Sequence, residues 1–208
     1  MIIVVVTPAY PAKVIGVFLA IMLVAIAGLR DYHPFPRFGP ANVTTTVRAL
    51  LVAIVAGFIG EALSRSYATA AVAFASVATL LDGVDGWLAR RTDMASAFGA
   101  RFDMEIDALL IQALAVLAWQ YGKAGAWVLA SGLIRYAFVG AGWIWPWMRG
   151  PLTPTLRGRL ICVVQLVALI AALLPSVAPP ASGWLAAAGL IVLGYSFFVD
   201  TLRLWRQR

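Results

Sequence analysis

Seven long apolar stretches, separated by short breaks rich in proline, glycine and charge, constrain the fold of this chain more than any other feature. A stretch of about 18 or more apolar residues crosses a bilayer as a helix. The stretches show no strand-length alternation, so the chain is expected to be an all-α integral membrane protein and not a barrel. They run over residues 14–29, 43–59, 67–90, 98–121, 124–148, 159–174 and 183–204.

The composition indicates that nearly the whole chain belongs to the membrane part. Of its 208 residues, 62% are hydrophobic, above the roughly one half that is usual for a soluble domain. We expect one transmembrane domain over residues 1–208, with an N-terminal span and Pro-rich cytoplasmic loop (1–40) followed by a helical core (41–208). The first stretch has neither a preceding basic region nor a following cleavage site, which favours a retained span over a signal peptide.

Basic residues are distributed unequally between the ends of the predicted spans. If the first span ends inside, only Lys13, Arg65 and Lys123 lie outside, and Arg135 lies within a span. Because Lys and Arg accumulate in cytoplasmic loops, we predict a cell (cytoplasmic) membrane protein with its N-terminus outside and its C-terminus inside. The net charge of +7 suits anionic membrane lipids and is not taken as a sign of nucleic-acid binding. Twelve basic residues then lie inside: Arg30, Arg37, Arg48, Arg90, Arg91, Arg101, Arg149, Arg157, Arg159, Arg203, Arg206 and Arg208.

Of the nine acidic residues, four aspartates fall inside two consecutive predicted spans, with Glu105 among them, and carboxylates in such spans are costly and usually functional. Asp82 and Asp85 are three residues apart, and Asp103 and Asp107 are four apart, so each pair lies on one helix face. Asp85 and Asp103 are each roughly 9 Å from the turn between the spans, and the other two roughly 14 Å. The two pairs are therefore predicted to meet at matching depth on antiparallel helices.

Four carboxylates in one place repel each other, and a divalent cation removes the repulsion. An all-oxygen ligand set indicates a hard ion, Mg²⁺, Mn²⁺ or Ca²⁺, and four carboxylates can hold two ions. Gly83, Gly86 and Gly99 beside the acids allow close approach of a helix or a ligand. Arg90 is placed to bind phosphate. Intramembrane acids on facing helices are also typical of a divalent-cation transporter or channel, which stays open as an alternative.

The acids, glycines and arginine together form a longer pattern, Asp82-x2-Asp85-Gly86-x2-Ala89-Arg90-x8-Gly99-x3-Asp103-x3-Asp107. This pattern resembles the signature of the CDP-alcohol phosphatidyltransferases at all eight fixed positions. A weaker likeness, Asn42-x2-Thr45-x2-Arg48, opens the second span. The resemblance implies six core transmembrane helices, with the stretch 14–29 added in front, and a homodimer.

The resemblance also implies an activity. A phosphatidyl group is transferred from CDP-diacylglycerol to a hydroxyl of a small alcohol, and CMP is released with the help of Mg²⁺ or Mn²⁺. Asp107 is implied as the general base. The implied metal ligands are Asp82, Asp85, Asp103 and Asp107, and the implied CDP contacts are Asn42, Thr45, Gly86, Ala89, Arg90 and Gly99.

The identity of the acceptor is the least constrained part of the prediction. Glycerol-phosphate-accepting members have a proline after the third acid and a lysine after the fourth, whereas this chain has Met104 and Ala108. Nearby cations favour an anionic acceptor such as glycerol 3-phosphate or another polyol phosphate. The candidates are Arg101, Arg135, Arg157 and Arg159, although all but Arg135 also suit a simple cytoplasmic face. Asp200 is expected to pair with a nearby arginine.

Overall fold

A computed structural model describes residues 7–32, 34–35, 37–150 and 156–206 of the chain. This part of the chain is all-helical and contains no strand, which confirms the predicted fold class. It forms seven α-helices, and short 3-10 turns at Ala126–Leu129 and Pro146–Arg149 flank the fifth of them. The helices are α1 (Ala9–Tyr32), α2 (Pro40–Gly57), α3 (Arg65–Arg91), α4 (Ala97–Gln120), α5 (Ala130–Ile144), α6 (Leu156–Leu173) and α7 (Ala181–Arg206).

Six of the described helices, all except α4, are long and apolar enough to cross a membrane, with α5 counted together with the 3-10 turn that precedes it. The chain is therefore a multi-pass membrane protein. Helix α4 has 24 residues, as many as α1, but carries the second pair of aspartates. The predicted span at 124–148 contains an α-helix that is clearly shorter than the span. A 3-10 turn at Ala126–Leu129 precedes α5, and α5 ends at Ile144 because Pro146 cannot continue a helix.

Short polar side chains define where the helices near the acids begin. Ser64 precedes α3, and its hydroxyl accepts a hydrogen bond from the backbone N–H of Ser66 at 3.2 Å. Ser96 precedes α4, and its hydroxyl accepts one from the N–H of Gly99 at 3.0 Å. Each bond satisfies a backbone donor that the helix leaves unpaired in its first turn. These caps fix where the aspartates stand along their helices.

The chain divides into two compact units, residues 1–113 and 114–208. In the first unit, α2 packs against α3 through small side chains. The buried faces carry Ala49 and Ala53 on α2, and Ala71, Ala75 and Ala78 on α3. Small residues let two membrane helices approach closely. This close approach is what allows a side chain of α2 to reach the acids of α3.

Helix α1 is held to the rest of the first unit by polar contacts at one end. Lys13 Nζ donates to Glu61 Oε1 at 2.6 Å and to the Ile59 carbonyl at 3.1 Å. Thr7 donates to the same carboxylate through its N–H and its hydroxyl. Ile15, Leu19, Leu23, Val24 and Ile26 of α1 are exposed, as expected where lipid covers them.

The Glu61 contacts make one contribution to stability dependent on pH. The hydrogen bond from Lys13, aided by those from Thr7 and partly opposed by burial, lowers the pKa of Glu61 below its usual 4.5. The Glu61 carboxylate therefore binds a proton more readily in the unfolded chain than in the folded protein. Its contribution to the free energy of unfolding is present above about pH 4.5 and is lost as the pH falls through the pKa of Glu61 in the folded protein.

We therefore expect Glu61→Gln to lower the Tm at pH 7, and the difference from the wild type to shrink between about pH 5 and pH 3. Thermal unfolding in nanodiscs measures this. Because Lys13 is the main cause of the lowered pKa, Lys13→Met should remove most of the effect of Glu61→Gln in a double-mutant cycle. A Tm difference that stays constant over this pH range contradicts the prediction.

In the second unit, α6 packs against α7, and the loop between α4 and α5 is tied to the turn between α6 and α7. Lys123 Nζ donates to the carbonyls of Leu174 and Val177, at 2.9 and 2.5 Å. Ser182 donates to the Lys123 carbonyl at 2.7 Å. Gln165 is fully buried on α6, and its amide oxygen lies against Gly189 of α7, where an added Cβ would be 2.6 Å away. The α6–α7 pair is therefore too tight at this point for a larger residue.

Candidate active site

The predicted meeting of the four aspartates is present in the structure, and a cation stands among them. The guanidinium of Arg48, from α2, contacts carboxylates from both α3 and α4. Its Nη1 lies 3.0 Å from Asp82 Oδ1 and 2.7 Å from Asp85 Oδ2, and it also pairs with Asp103 Oδ1. Its Nη2 pairs with Asp107 Oδ1. We call these five residues the aspartate cluster.

The cluster separates its carboxylates into three and one. Carboxylate oxygens of Asp82, Asp85 and Asp103 all lie within 4.8 Å of one another, which is close enough to share one metal ion. Asp107 is joined to them through the other nitrogen of Arg48. Spacing along the helices predicts one set of four aspartates, whereas the geometry distinguishes Asp107 from the other three.

The donor set suits a hard divalent cation. It consists of carboxylate oxygens alone, which are the ligands that Mg²⁺ and Mn²⁺ prefer. In the structure, Nη1 of Arg48 stands in for a cation at the centre of three oxygens. Four carboxylates and one guanidinium give the cluster a formal charge of −3, and this net negative charge favours binding of a divalent cation. The residues present therefore fit the metal that the sequence predicted.

Arg48 is the functional residue whose role the sequence did not predict. It was counted among the basic residues that flank spans on the cytoplasmic side, but its side chain is fully buried with 0% exposure. That assignment is wrong, since an arginine surrounded by carboxylates does not report on the membrane surface. One signal in the sequence pointed to the role: Arg48 shares a helix face with Asn42 and Thr45 by its spacing. That face is buried in the structure, where a charge needs a partner.

Thr45 and Asn42 extend the polar face of α2 beyond the cluster. The Thr45 hydroxyl lies 3.1 Å from Asp85 Oδ2 and 3.1 Å from its own-helix carbonyl at Ala41. Asn42 donates to the Phe38 carbonyl at 2.5 Å, and its amide oxygen faces Gly99 at the start of α4. Both side chains were predicted as CDP contacts. The structure places Thr45 on a cluster aspartate and Asn42 beside one of the predicted glycines.

Gly99 is needed for the close approach of α4 to α2. A Cβ at this position would lie 2.9 Å from Asn42 Oδ1 and 3.3 Å from Ser96 Oγ. Asn42 is only 4% exposed and is held by its bond to Phe38, so it has little room to move. The glycine therefore sets the distance between the helix that carries Arg48 and one that carries aspartates.

We expect Gly99→Ala to destabilise the protein by about 1–3 kcal/mol, because the new methyl group overpacks the contact with Asn42. In a chain of this size the Tm should fall by roughly 2–10 °C. The matched control is Gly16→Ala on α1, where an added Cβ meets no atom within 4 Å. Its Tm should be unchanged or slightly higher, since alanine favours the helix. Equal Tm values for the two variants contradict the prediction.

The remaining predicted CDP contacts follow the aspartates along α3. Gly86 and Ala89 are half-buried, and Arg90 is exposed in the last turn of the helix. Asp82, Gly86 and Ala89 are four and three residues apart, so they share one face of α3. A ligand bound at the cluster could therefore extend along α3 across Gly86 and Ala89 towards Arg90. Their binding to CDP stays a prediction.

The four arginines predicted as acceptor contacts have different surroundings. Arg101 is exposed near the start of α4 in the first unit. The other three belong to the second unit, where Arg135 is half-buried on α5 and Arg159 is exposed on α6. Arg157 pairs with Asp200 at 2.5 Å, which confirms the expected partner of that aspartate. Contact between any of these arginines and an acceptor remains a prediction.

Comparison with known proteins gives the cluster its context. A family model described as CDP-alcohol phosphatidyltransferase matches residues 38–195, which is most of the chain. The chain belongs to this family. A CDP-diacylglycerol--glycerol-3-phosphate 3-phosphatidyltransferase of Pseudomonas fluorescens is 30% identical over 175 residues, covering 79% of this chain and 84% of the relative. The protein is accordingly a phosphatidyltransferase, an enzyme that transfers a substituted phosphate group.

The family match also divides the helices of this phosphatidyltransferase. It begins just before α2 and ends within α7, so α1 precedes the matched region. All five residues of the aspartate cluster lie inside the match. Glu61, to which α1 is bound, also lies within it, whereas Thr7 and Lys13 lie outside it. The polar contacts of Glu61 thus join the additional helix to the family core.

Proposed function

We propose that the protein transfers the phosphatidyl group of CDP-diacylglycerol to a hydroxyl of a small anionic alcohol, with release of CMP, at the aspartate cluster. The convergence of four carboxylates, from two helices, on one cation position supports this most directly. Transfer between a CDP-lipid and an alcohol needs metal-binding carboxylates and a base in one place. The cluster offers both from residues only a few ångströms apart.

Asp82, Asp85 and Asp103 are the proposed ligands of a divalent metal, Mg²⁺ or Mn²⁺, and Asp107 is close enough to contribute to a second ion. When bound, the metal neutralises charge on the diphosphate and on the CMP leaving group. The protein supplies the rigid frame for these ligands. Thr45 fixes the orientation of Asp85, and the capped start of α4 fixes the position of Asp103.

Asp107 is the proposed general base. It takes the proton of the acceptor hydroxyl as the acceptor oxygen bonds to the phosphorus that carries the diacylglycerol. The bond from this phosphorus to the CMP oxygen breaks, and CMP leaves with the electron pair. Asp107 is suited to the role because it is the cluster carboxylate that lies outside the group of three that can share one ion. Its side chain retains 16% exposure, which leaves it accessible to an acceptor.

Glycerol 3-phosphate is the first acceptor to test. The name of the Pseudomonas fluorescens relative specifies it, and arginines along the chain suit its phosphate. The segment from Asp103 to Ala108, however, lacks the proline and the lysine that are usual in enzymes of that specificity. Another polyol phosphate is therefore the proposed second acceptor. The cluster is proposed to face the cytoplasm, where eleven basic residues remain against three outside once Arg48 is removed from the count.

CMP release by the purified protein tests the proposal. The assay contains CDP-diacylglycerol, Mg²⁺ or Mn²⁺, and one acceptor at a time from glycerol 3-phosphate, inositol phosphate, inositol and serine. We expect CMP with a phosphorylated polyol, no CMP in EDTA, and recovery when metal is added back. CMP from no acceptor in the panel contradicts the proposal. Divalent-ion flux in proteoliposomes without CDP-lipid would instead support transport, the alternative that the acids alone left open.

A further inference from the structure

Arg48 carries a charge that the proposed reaction does not use, at the position where the proposed reaction needs a metal. We propose that Arg48 is an exchangeable counter-cation of the aspartate cluster. Its guanidinium holds the carboxylates together when no divalent ion is bound, and an ion that binds takes the place of Nη1 among Asp82, Asp85 and Asp103. This inference rests on the proposed metal dependence and adds a competitor for the ion within the chain itself.

Burial and charge are the first support. Arginine does not lose its proton in proteins, so Arg48 is a permanent cation with no exposed side-chain surface. A buried ion without partners is strongly destabilising. The same holds for four carboxylates gathered without a counter-charge. In the ion-free protein, Arg48 and the aspartates therefore satisfy each other.

A mismatch in hydrogen bonding is the second support. Nη1 has two N–H groups, and they donate to Asp85 and Asp103. Asp82 Oδ1 lies at 3.0 Å from the same nitrogen as a third oxygen and makes an ion pair with it. Three oxygens around a two-hydrogen donor suit a spherical ion better than a planar guanidinium. Each of the three carboxylates has an oxygen within 4.8 Å of the others, and neighbouring oxygens around an octahedral Mg²⁺ ion are about 3 Å apart, so the oxygens move inward when an ion replaces Nη1.

The anchoring of the side chain defines what the exchange involves. Arg48 Nε donates to the Ala78 carbonyl of α3 at 3.1 Å, and Nη2 pairs with Asp107. Because a guanidinium is a rigid plane, Nη1 leaves the three carboxylates only when the whole group moves. An ion that binds therefore also loosens the contacts of Arg48 with Ala78 and Asp107.

Mn²⁺ binding to the full-length protein in nanodiscs tests the exchange. Electron paramagnetic resonance measures the Kd, and thermal unfolding in EDTA measures the stability of the ion-free protein, for the wild type and for Arg48→Gln. We expect the Tm of Arg48→Gln in EDTA to fall by on the order of 10 °C. We expect its Kd for Mn²⁺ to decrease at least about tenfold, because a competing charge has been removed. Saturating Mn²⁺ should restore most of the lost Tm.

The matched control is Arg65→Gln, which removes an exposed arginine at the start of α3 and should change neither value. A Kd for Arg48→Gln that is equal to or weaker than that of the wild type overturns the exchange, and wild-type binding remains to support the proposed function. A wild type that binds no Mn²⁺ overturns both.

If Arg48→Gln does not fold, nitrogen-15 spectra of the wild-type arginine side chains give the answer. The Arg48 Nη resonances, assigned by their absence in Arg48→Lys, should shift when Mg²⁺ is added. Resonances that do not move overturn the exchange.

Discussion

Asp107→Asn is expected to lower the rate of CMP release about 10²- to 10⁴-fold, because asparagine cannot take the proton of the acceptor hydroxyl. Mn²⁺ binding should change far less than the rate. Asp107 lies outside the three-oxygen group and contacts the other nitrogen of Arg48, so its loss leaves Asp82, Asp85 and Asp103 in place. A large fall in rate beside a small change in metal affinity is the result that distinguishes a base from a ligand.

The measurements are CMP release at saturating substrate and a Mn²⁺ titration of the same preparation. Glu105→Gln is the matched control, since Glu105 is on the same helix two residues away and points to another face. Its rate should remain close to that of the wild type. If Asp107→Asn retains full activity, Asp107 is not the base.

Asp85→Asn is expected to weaken metal binding, with a loss of CMP release that high metal concentration reverses, in contrast to Asp107→Asn. Asp85 is the most buried of the four aspartates, with 5% of its side chain exposed, and it receives hydrogen bonds from Thr45 and Arg48. Asparagine keeps the shape but removes the charge that a divalent ion requires. We expect the Mn²⁺ concentration for half-maximal CMP release to rise at least about 100-fold. Loss of a residue that only hydrogen-bonds to a metal ligand already weakens metal affinity about 10- to 100-fold, and loss of the ligand itself should weaken it more.

A rate that recovers at high Mn²⁺ identifies the defect in Asp85→Asn as one of metal binding. Asp93→Asn is a suitable control. Asp93 is exposed in the turn between α3 and α4, with a φ of 51°, a backbone conformation that asparagine tolerates as well as aspartate does. An unchanged metal requirement in Asp85→Asn contradicts its assignment as a ligand.

Much of the fold could be predicted because a membrane leaves few choices. Apolar length and breaks at proline, glycine and charge placed all seven described helices near their observed positions, and α5 is shorter because a 3-10 turn precedes it and Pro146 follows it. The facing of Asp82 and Asp85 on α3 with the pair on α4 followed from helix periodicity and depth. These properties depend on neighbours along the chain, which a sequence shows directly.

Pairings across the structure could not be predicted in the same way. Counting basic residues treats every arginine alike, so Arg48 was assigned to the membrane surface although it lies among four carboxylates. The bond of Lys13 to Glu61 joins residues 48 positions apart and leaves no periodic trace. Both depend on which helices pack together. A charge on the buried face of a helix is the sequence signal that deserves a search for its partner.

The position of Arg48 also bears on how the chain is made. It stands near the middle of α2, whose mean hydropathy of 1.3 is well below the 2.5 of α1. An arginine at the centre of a helix raises the free energy of insertion by about 2.5–3.5 kcal/mol. The carboxylates that compensate it are synthesised 34 to 59 residues later. We therefore expect α2 to insert inefficiently into the membrane on its own. Its insertion becomes favourable when α3 and α4 supply the carboxylates that pair with Arg48.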